Sequence, residues 1–510
     1  MEIANELLRV ALLGTERQPL PWPEQAADGL GRLLSALDAG DREGALLGAA
    51  GALAVYRRAG RVSATRETVP VPCPRDAQPR CSERAALHLA QMLEDPHKLP
   101  VLPEWLQALR AKDKRIPEEK LPPLLELGRR DRELRETLVP ALGKRGAWLA
   151  SLNPDWSYAL ASSAETGEDA LEVWQTADTP DRQRLLRTIR REYPDRARKL
   201  VESTWKEDPP EERAAFLAEL RTGLSMADEP LLEEALDDRR KEVRQAAIDL
   251  LARLPESRLV RRMSERVLPL IAIPDGEPAT IEVRLPEASD KAMQRDGVAL
   301  KPTADHGNLG EKAFWLLQML RAVPPSHWSH RRELPPERLL DAADRSEWKE
   351  VLMRGWAEAA ARFRSPGWAE AMLLRADALQ DGAARAPLLE ALPPAQQQAV
   401  LLELMPDAHR TAAEHQGWVA LLRACERDWS STFAEKVVAH SLGILDSRYG
   451  FHLEPALSLC SLTVPPSLYP TVAAQLGEGS DDAWGWRSRA VEKFLVLLRF
   501  RWDMLQALEE

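Results

Sequence analysis

Pro230-Leu-Leu-Glu-Glu-Ala-Leu-Asp-Asp-Arg-Arg-Lys-Glu-Val-Arg-Gln-Ala-Ala-Ile-Asp-Leu-Leu-Ala-Arg-Leu254 is the stretch on which the fold turns. It reads as a short helix over 230–236, a turn at Asp237 and Asp238, and a second helix that begins near Glu242. Stepping back 31 residues at a time finds the pattern twice more. Arg244 is preceded by Arg213 and Arg182, Ile248 by Leu217 and Leu186, Leu251 by Leu220 and Ile189, and Leu236 by Trp205 and Trp174. Self-similarity at that period is the signature of stacked helical pairs, because one pair cannot bury its apolar face alone. The expected fold is therefore an all-α solenoid of helical pairs.

The flanking sequence extends this reading. Helices carrying the three arginines are expected to begin near Asp181, Glu211 and Glu242, with Pro180 and Pro209-Pro210 where a helix tolerates proline, at its start. The third copy starts from Asp237-Asp238, acidic residues suited to capping. Partner helices are expected over 194–205 and 230–236, and a basic helix over 257–268. Residues 230–254 resemble a HEAT repeat, in which a short first helix, an Asp-containing turn and a Val-Arg start to the second helix recur; the two upstream copies are looser relatives. An arginine in the first turn opposes the helix dipole, at a cost of about 0.3–1 kcal/mol. Its recurrence points to compensating carboxylates, with Asp181, Glu212, Asp238 and Glu242 as candidates.

Outside 146–268 the pattern is less regular. Residues 1–145 read as an N-terminal helical domain. Its first helix shows Ile3, Leu7, Leu8, Ala11 and Leu12 on one face, with Gly14 as a stop. The prolines of VPVPCPRDAQPRC suggest an extended connector, and helices resume over 82–93, 104–112 and 121–142. Residues 269–310 form an insertion or linker: IAIPDGEPATIEVRLPE suggests a short β-hairpin, and SDKAMQRDGVALKPTADHGNLG reads as loop. Helical patterns return over 311–510, where Trp368 and Trp418 each open a similar helix and hint at more divergent repeats.

Composition narrows the function classes. The 510 residues exceed one core, and 44% apolar with 29% charged content is globular. Sixteen Trp against five Tyr and seven Phe suggest indoles wedged between helices, with Trp148, Trp156, Trp174, Trp205, Trp348, Trp356, Trp368, Trp418 and Trp429 near helix ends. A net charge of −11 argues against nucleic acid or an anionic membrane as main partner. Four scattered cysteines do not make a disulfide framework. The absence of a signal-peptide pattern and of a long apolar run implies a cytoplasmic protein.

Catalytic motifs are missing: there is no phosphate loop, GxGxxG, GxSxG or HExxH, and Ser203-Thr-Trp-Lys206 matches SxxK without its companion motifs. Cys73 and Cys81 with His88 and His97 lack the short spacing of structural zinc sites. His306, His327 and His330, with Asp305, form the other group that could hold metal. No cofactor is implied. The sharper feature is basic. Arg184, Arg187 and Arg191 share a helix face, and Arg258, Arg261 and Arg262 form a second group. These six are the expected partner-binding residues. A structural role against neighbouring acidic residues competes with that reading, and so does a phosphate-tracking stripe.

The whole chain also resembles an uncharacterised bacterial family of helical-repeat proteins. The resemblance rests on ALLGTERQPLPWP near the N-terminus, WLASLNPDWSYAL at 148–160, RTGLSMADEPLLEEALDDRRKEVRQAAIDLLARLPESRL at 221–259 and GEKAFWLLQMLRAVPPSHW at 310–328. That family is associated with SWIM zinc-finger proteins, MoxR-type AAA+ ATPases and von Willebrand factor A proteins. The resemblance implies a non-enzymatic scaffold or adaptor in an ATPase-driven, chaperone-like system, and carries over no catalytic residues. Two other expectations remain open: a nucleic-acid-binding repeat protein using the arginine stripe, and a metal-dependent enzyme using the His306/His327/His330 region.

Overall fold

Amphipathic stretches broken by proline and glycine become short helices stacked in pairs. A computed structural model describes residues 2–20, 29–59, 70–160, 170–274, 276, 278–302, 309–375, 384–407, 409–445, 454–477 and 485–510. Among them helices dominate, joined by one two-stranded antiparallel sheet. The chain divides into two compact units, Met1–Pro72 and Cys73–Glu510.

The first unit holds the helices Glu2–Leu13, Gly29–Ser35 and Arg42–Ala59, with Leu7, Leu30, Leu34 and Ala49 as its own small core. Gly14 ends the first helix in the left-handed region, at φ 92°, which glycine adopts without steric cost. The inward stripe of that helix is narrower than its apolar face. Leu7 and Val10 are buried, whereas Leu8 and Leu12 face outward, because so small a unit has partner surface for only one stripe.

The second unit contains the array. The helices Thr179–Glu192, Pro210–Glu219 and Lys241–Leu251 pack one on the next. Pro194–Thr204 and Glu229–Ala235 supply their partners, so the pairs stand as their 31-residue period requires. Asp178 caps the first helix, its side chain accepting from the Asp181 N–H at 3.0 Å. Proline takes the first turn in the first two copies. In the third copy Asp238 accepts from the Arg240 N–H in the turn, and Arg240 occupies the cap position without a side-chain bond. A single continuous core runs from Ala170 to Leu498, so the 146–268 and 311–510 segments are not separate hydrophobic bodies. Trp174, Trp205, Trp356, Trp368, Trp418 and Trp429 are buried in it, as wedges between helices. Trp418 lies in the middle of the helix Ala412–Ala424 rather than opening it.

The insertion belongs to that core. Its hairpin pairs Ile271 with Val283 and Ala272 with Glu282, and Ile271, Ile273, Ala279, Ile281, Met293 and Val298 are buried. The part expected as loop contains a helix, Lys291–Arg295, capped by the Asp290 side chain. Burying Met293 and Val298 outweighs the local polarity that suggested a loop.

A different core settles the other boundary. Residues 81–159 bury their apolar side chains together with Phe500, Met504, Ala507 and Leu508 of the last helix, Gly485–Glu509. The Arg501 guanidinium donates to Glu104 at 2.6 and 2.9 Å and to the Ser461 and Val464 carbonyls, and the Ser82 hydroxyl donates to the Ala507 carbonyl. The expected 1–145 domain thus separates at Pro72, because its second half shares a core with residues nearly four hundred positions away. Within that half, the expected 121–142 helix is broken into Leu121–Arg130 and Arg135–Leu138. Asp131 turns the chain between them, its carboxylate accepting from the Glu133 and Leu134 amides.

Candidate interaction surface

Two of the repeated arginines, Arg182 and Arg213, bridge successive repeats, and the third, Arg244, bonds within its own turn. Arg182 donates to Asp208 at 2.9 and 3.0 Å, to Glu212 at 3.2 Å and to Thr204 at 2.7 Å, with its guanidinium 4.2 Å from the Trp174 ring and 4.6 Å from Phe216. One period on, Arg213 pairs with Asp238 at 2.7 Å and donates to the Asp208 carbonyl. Arg244, at the next step, donates to the carbonyls of Asp238 and Arg239. A planar fork with several donors suits this geometry. Glu212 and Asp238 were legible as partners. Asp208 was not, because it lies before the proline turn and only the stacking of repeats brings it to Arg182.

The basic stretch from Arg182 to Lys199 disperses in the same way. Arg190 is fully buried with Asp228, at 2.5 Å, and also donates to the carbonyls of Thr222, Pro194, Leu220 and Gly223. Arg184 pairs with Asp181. Arg187 meets Glu219 in a two-pronged contact, its Nε at 2.9 Å, and that carboxylate raises the already high pKa of the guanidinium. Arg191 reaches Glu136 at 2.5 Å. All three stay at least a third exposed.

The second group divides. Arg262 is tied to the buried Asp296 at 2.6 Å and to Glu233 at 3.0 Å, in a network with Arg266 and Arg295. Asp237 completes it: its hydrogen bond from Arg295 holds the carboxyl below the usual carboxylate range. Asp296 comes from the insertion, so these ion pairs fasten the insertion to the repeats. Arg258 pairs with Glu229 at 3.3 Å and remains half exposed. Arg261 is exposed, with no side-chain partner among the described residues. Arg262 therefore serves as a structural tie, and the other five lie on solvent-facing surface.

Among the described residues the metal candidates do not come together as a ligand set. Cys81 is buried in the 81–159 core, where desolvation pushes its thiol up to about 11, while Cys73 is half-buried and His97 exposed. His88 bonds the Arg84 carbonyl and meets the Phe500 ring at a tilt, with centroids 5.2 Å apart. His327 and His330 share the helix Ser326–Arg332, and burial, then the His330 charge, pushes His327 down. His306 and Asp305 lie outside the described residues. Among the described residues no group of three or more His, Cys, Asp or Glu is placed to hold a metal ion. The Ser203 hydroxyl donates to the Leu200 carbonyl of its own helix end.

One basic group was not anticipated. Arg221, Arg253, Arg321 and Arg362 each stand at the carboxyl end of an array helix, with Arg364 two residues beyond the last. The available signal was an arginine recurring where each apolar helix pattern stops, which reads locally as ordinary helix termination.

Among the described residues no helix is long and apolar enough to cross a membrane. No curated protein and no solved structure matches the chain. A family of unknown function, DUF5691, matches residues 6–508, and over that near-complete length the chain belongs to the DUF5691 family.

Proposed function

We propose that this chain is a cytoplasmic, non-enzymatic protein-interaction scaffold, an adaptor in a chaperone-like system built on a MoxR-type AAA+ ATPase and a von Willebrand factor A protein. The observation that carries this reading is the architecture: helix pairs stacked on one continuous core from Ala170 to Leu498. Such an array presents equivalent helix ends and faces repeat after repeat, a geometry suited to holding a partner along its length. Arg182 and Arg213 tie successive repeats together through Asp208, Glu212 and Asp238. Arg184, Arg187, Arg191, Arg258 and Arg261 are offered to the partner from the surface, with Arg262 holding the insertion behind them.

The test is affinity capture from a native bacterial lysate, with and without nuclease and ATP. The reading requires an AAA+ ATPase or von Willebrand-type protein recovered regardless of nuclease. Recovery dominated by nucleic acid, lost on nuclease treatment, would replace it with the phosphate-track reading. Charge reversal at Arg184, Arg187 and Arg191 should weaken capture while leaving Tm within a few degrees, since exposed ion pairs contribute only about 0–1 kcal/mol each. A matching loss of stability would show these residues to be structural.

A further inference from the structure

Successive helices of the array end on the same chemistry. Pro210–Glu219 leads into Arg221, Lys241–Leu251 into Arg253 and Glu311–Leu320 into Arg321, and Lys349–Arg362 ends on Arg362 with Arg364 just after. The first two of these helices pack together, as do the last two. Close packing is enforced at Gly355, where an added Cβ would stand 2.7 Å from the Leu320 Cβ. The arginines consequently converge: Arg253 feels the charges of Arg221 and Arg364, and Arg362 feels those of Arg321 and Arg253.

Counter-charge is sparse at this place. Glu358 is shared between Arg321, at 3.5 Å, and Arg354, at 3.2 Å, and Asp249 is the other carboxylate acting on the group. Among the described residues, the side chains of Arg221, Arg253, Arg362 and Arg364 make no hydrogen bond or ion pair. This sets them apart from Arg182, Arg213 and Arg244, each of which has its acceptors. Helix dipoles account for one cation at each carboxyl end, worth about 0.3–1 kcal/mol. Four such ends leave Arg364 over, and the dipoles do not explain why the cations of different helices stand together with so few acceptors in a chain of net charge −11.

We propose that this arginine row binds an acidic segment of a partner protein, laid in extended conformation across the helix ends; the proposal rests on the interaction-scaffold reading and names its partner's chemistry. Packed helices lie about 8–10 Å apart, and a segment in the extended polyproline II form, with three residues per turn and a rise of about 3.1 Å per residue, returns every third side chain to one face about 9 Å further on, so acidic side chains at every third position match the row. Guanidinium forks take carboxylates in two-pronged contacts. Asp249 and Glu358 stand among the arginines and would repel an unbroken run of phosphates, whereas a peptide places its charges discretely. Arg362 makes no hydrogen bond or ion pair among the described residues. Burial, followed by the Arg321 charge, pushes its guanidinium down to about 10, far below where a compensated arginine stands.

The experiment uses the full chain and a fluorescent peptide of Glu-Gly-Ser repeats, about 15 residues long to span the row. Its comparators are the Gln-Gly-Ser counterpart and an oligothymidylate of equal length, all read by anisotropy at low salt. Saturable binding of the Glu peptide alone is expected, weakened about tenfold or more by the exposed pair Arg221→Glu and Arg364→Glu at unchanged Tm. Because Arg362→Glu alone could unfold the chain, Arg253→Glu serves as the independent second variant and should act in the same direction. Absence of binding, equal binding of the Gln peptide, tighter binding of oligothymidylate, or indifference to both variants overturns the proposal. A native partner whose capture survives the Arg221/Arg364 reversal would overturn it while leaving the scaffold reading intact. Loss of the scaffold reading would instead show as no protein partner captured by the unaltered chain.

Discussion

At the scale of single residues, the most consequential group is the Arg190–Asp228 pair. Both side chains are fully buried, and the guanidinium also satisfies four carbonyls. Asp228→Asn keeps the shape but leaves a buried cation uncompensated, so a loss of about 3–5 kcal/mol is expected by urea denaturation. Arg190→Lys should also destabilise, since an ammonium has three donors and no fork. A second residue governs acid sensitivity. Burial, then the His415 charge, pushes His440 down from 6.5 to about 4, and its ring stands edge-on to Trp418 at 5.1 Å. The folded pKa lies below the unfolded one, so this stability is present above pH 6.5 and is lost as pH falls toward 4. His440→Leu should flatten the decline of Tm with acidification across that window; an unchanged slope would place the acid sensitivity elsewhere. Neither residue declared its role in sequence. In sequence Arg190 stands directly beside Arg191 and is not distinguished from it, and only the chain's return at Asp228 shows it as a core residue.

At the scale of elements, local signals located most helices and the hairpin, because apolar period and proline position act within a turn or two. They failed where the deciding contact was remote, as for the helix Lys291–Arg295 and the true inward stripe of the first helix, and they passed over the local side-chain turn that breaks the chain at Asp131. The clearest remote contact is the last helix, Gly485–Glu509, which completes the core of residues 81–159. Removing residues 485–510 should expose Leu102, Trp105 and Leu106 and speed amide hydrogen exchange throughout 81–159, with less effect on 210–251. Uniform destabilisation across both regions would mean that the two cores unfold as one. Arg501→Ala should reproduce part of the effect, since it frees Glu104 and the Ser461 and Val464 carbonyls together.

At the scale of the whole molecule, the two compact units have cores of their own: Leu7, Leu30, Leu34 and Ala49 in one, and the two larger clusters in the other. A chain beginning at Cys73 is therefore expected to give a cooperative melting transition with intact helical circular dichroism. Failure to fold would show that Met1–Pro72 is required. Sequence alone determined that the chain is a stack of helical pairs, because a 31-residue period and its prolines act through local geometry and nearest-neighbour burial. Tertiary structure alone decided which charges remain available. A guanidinium is structural or free according to whether a distant carboxylate reaches it, and that proximity, as between Arg190 and Asp228 or Arg262 and Asp296, exists only once the repeats have stacked.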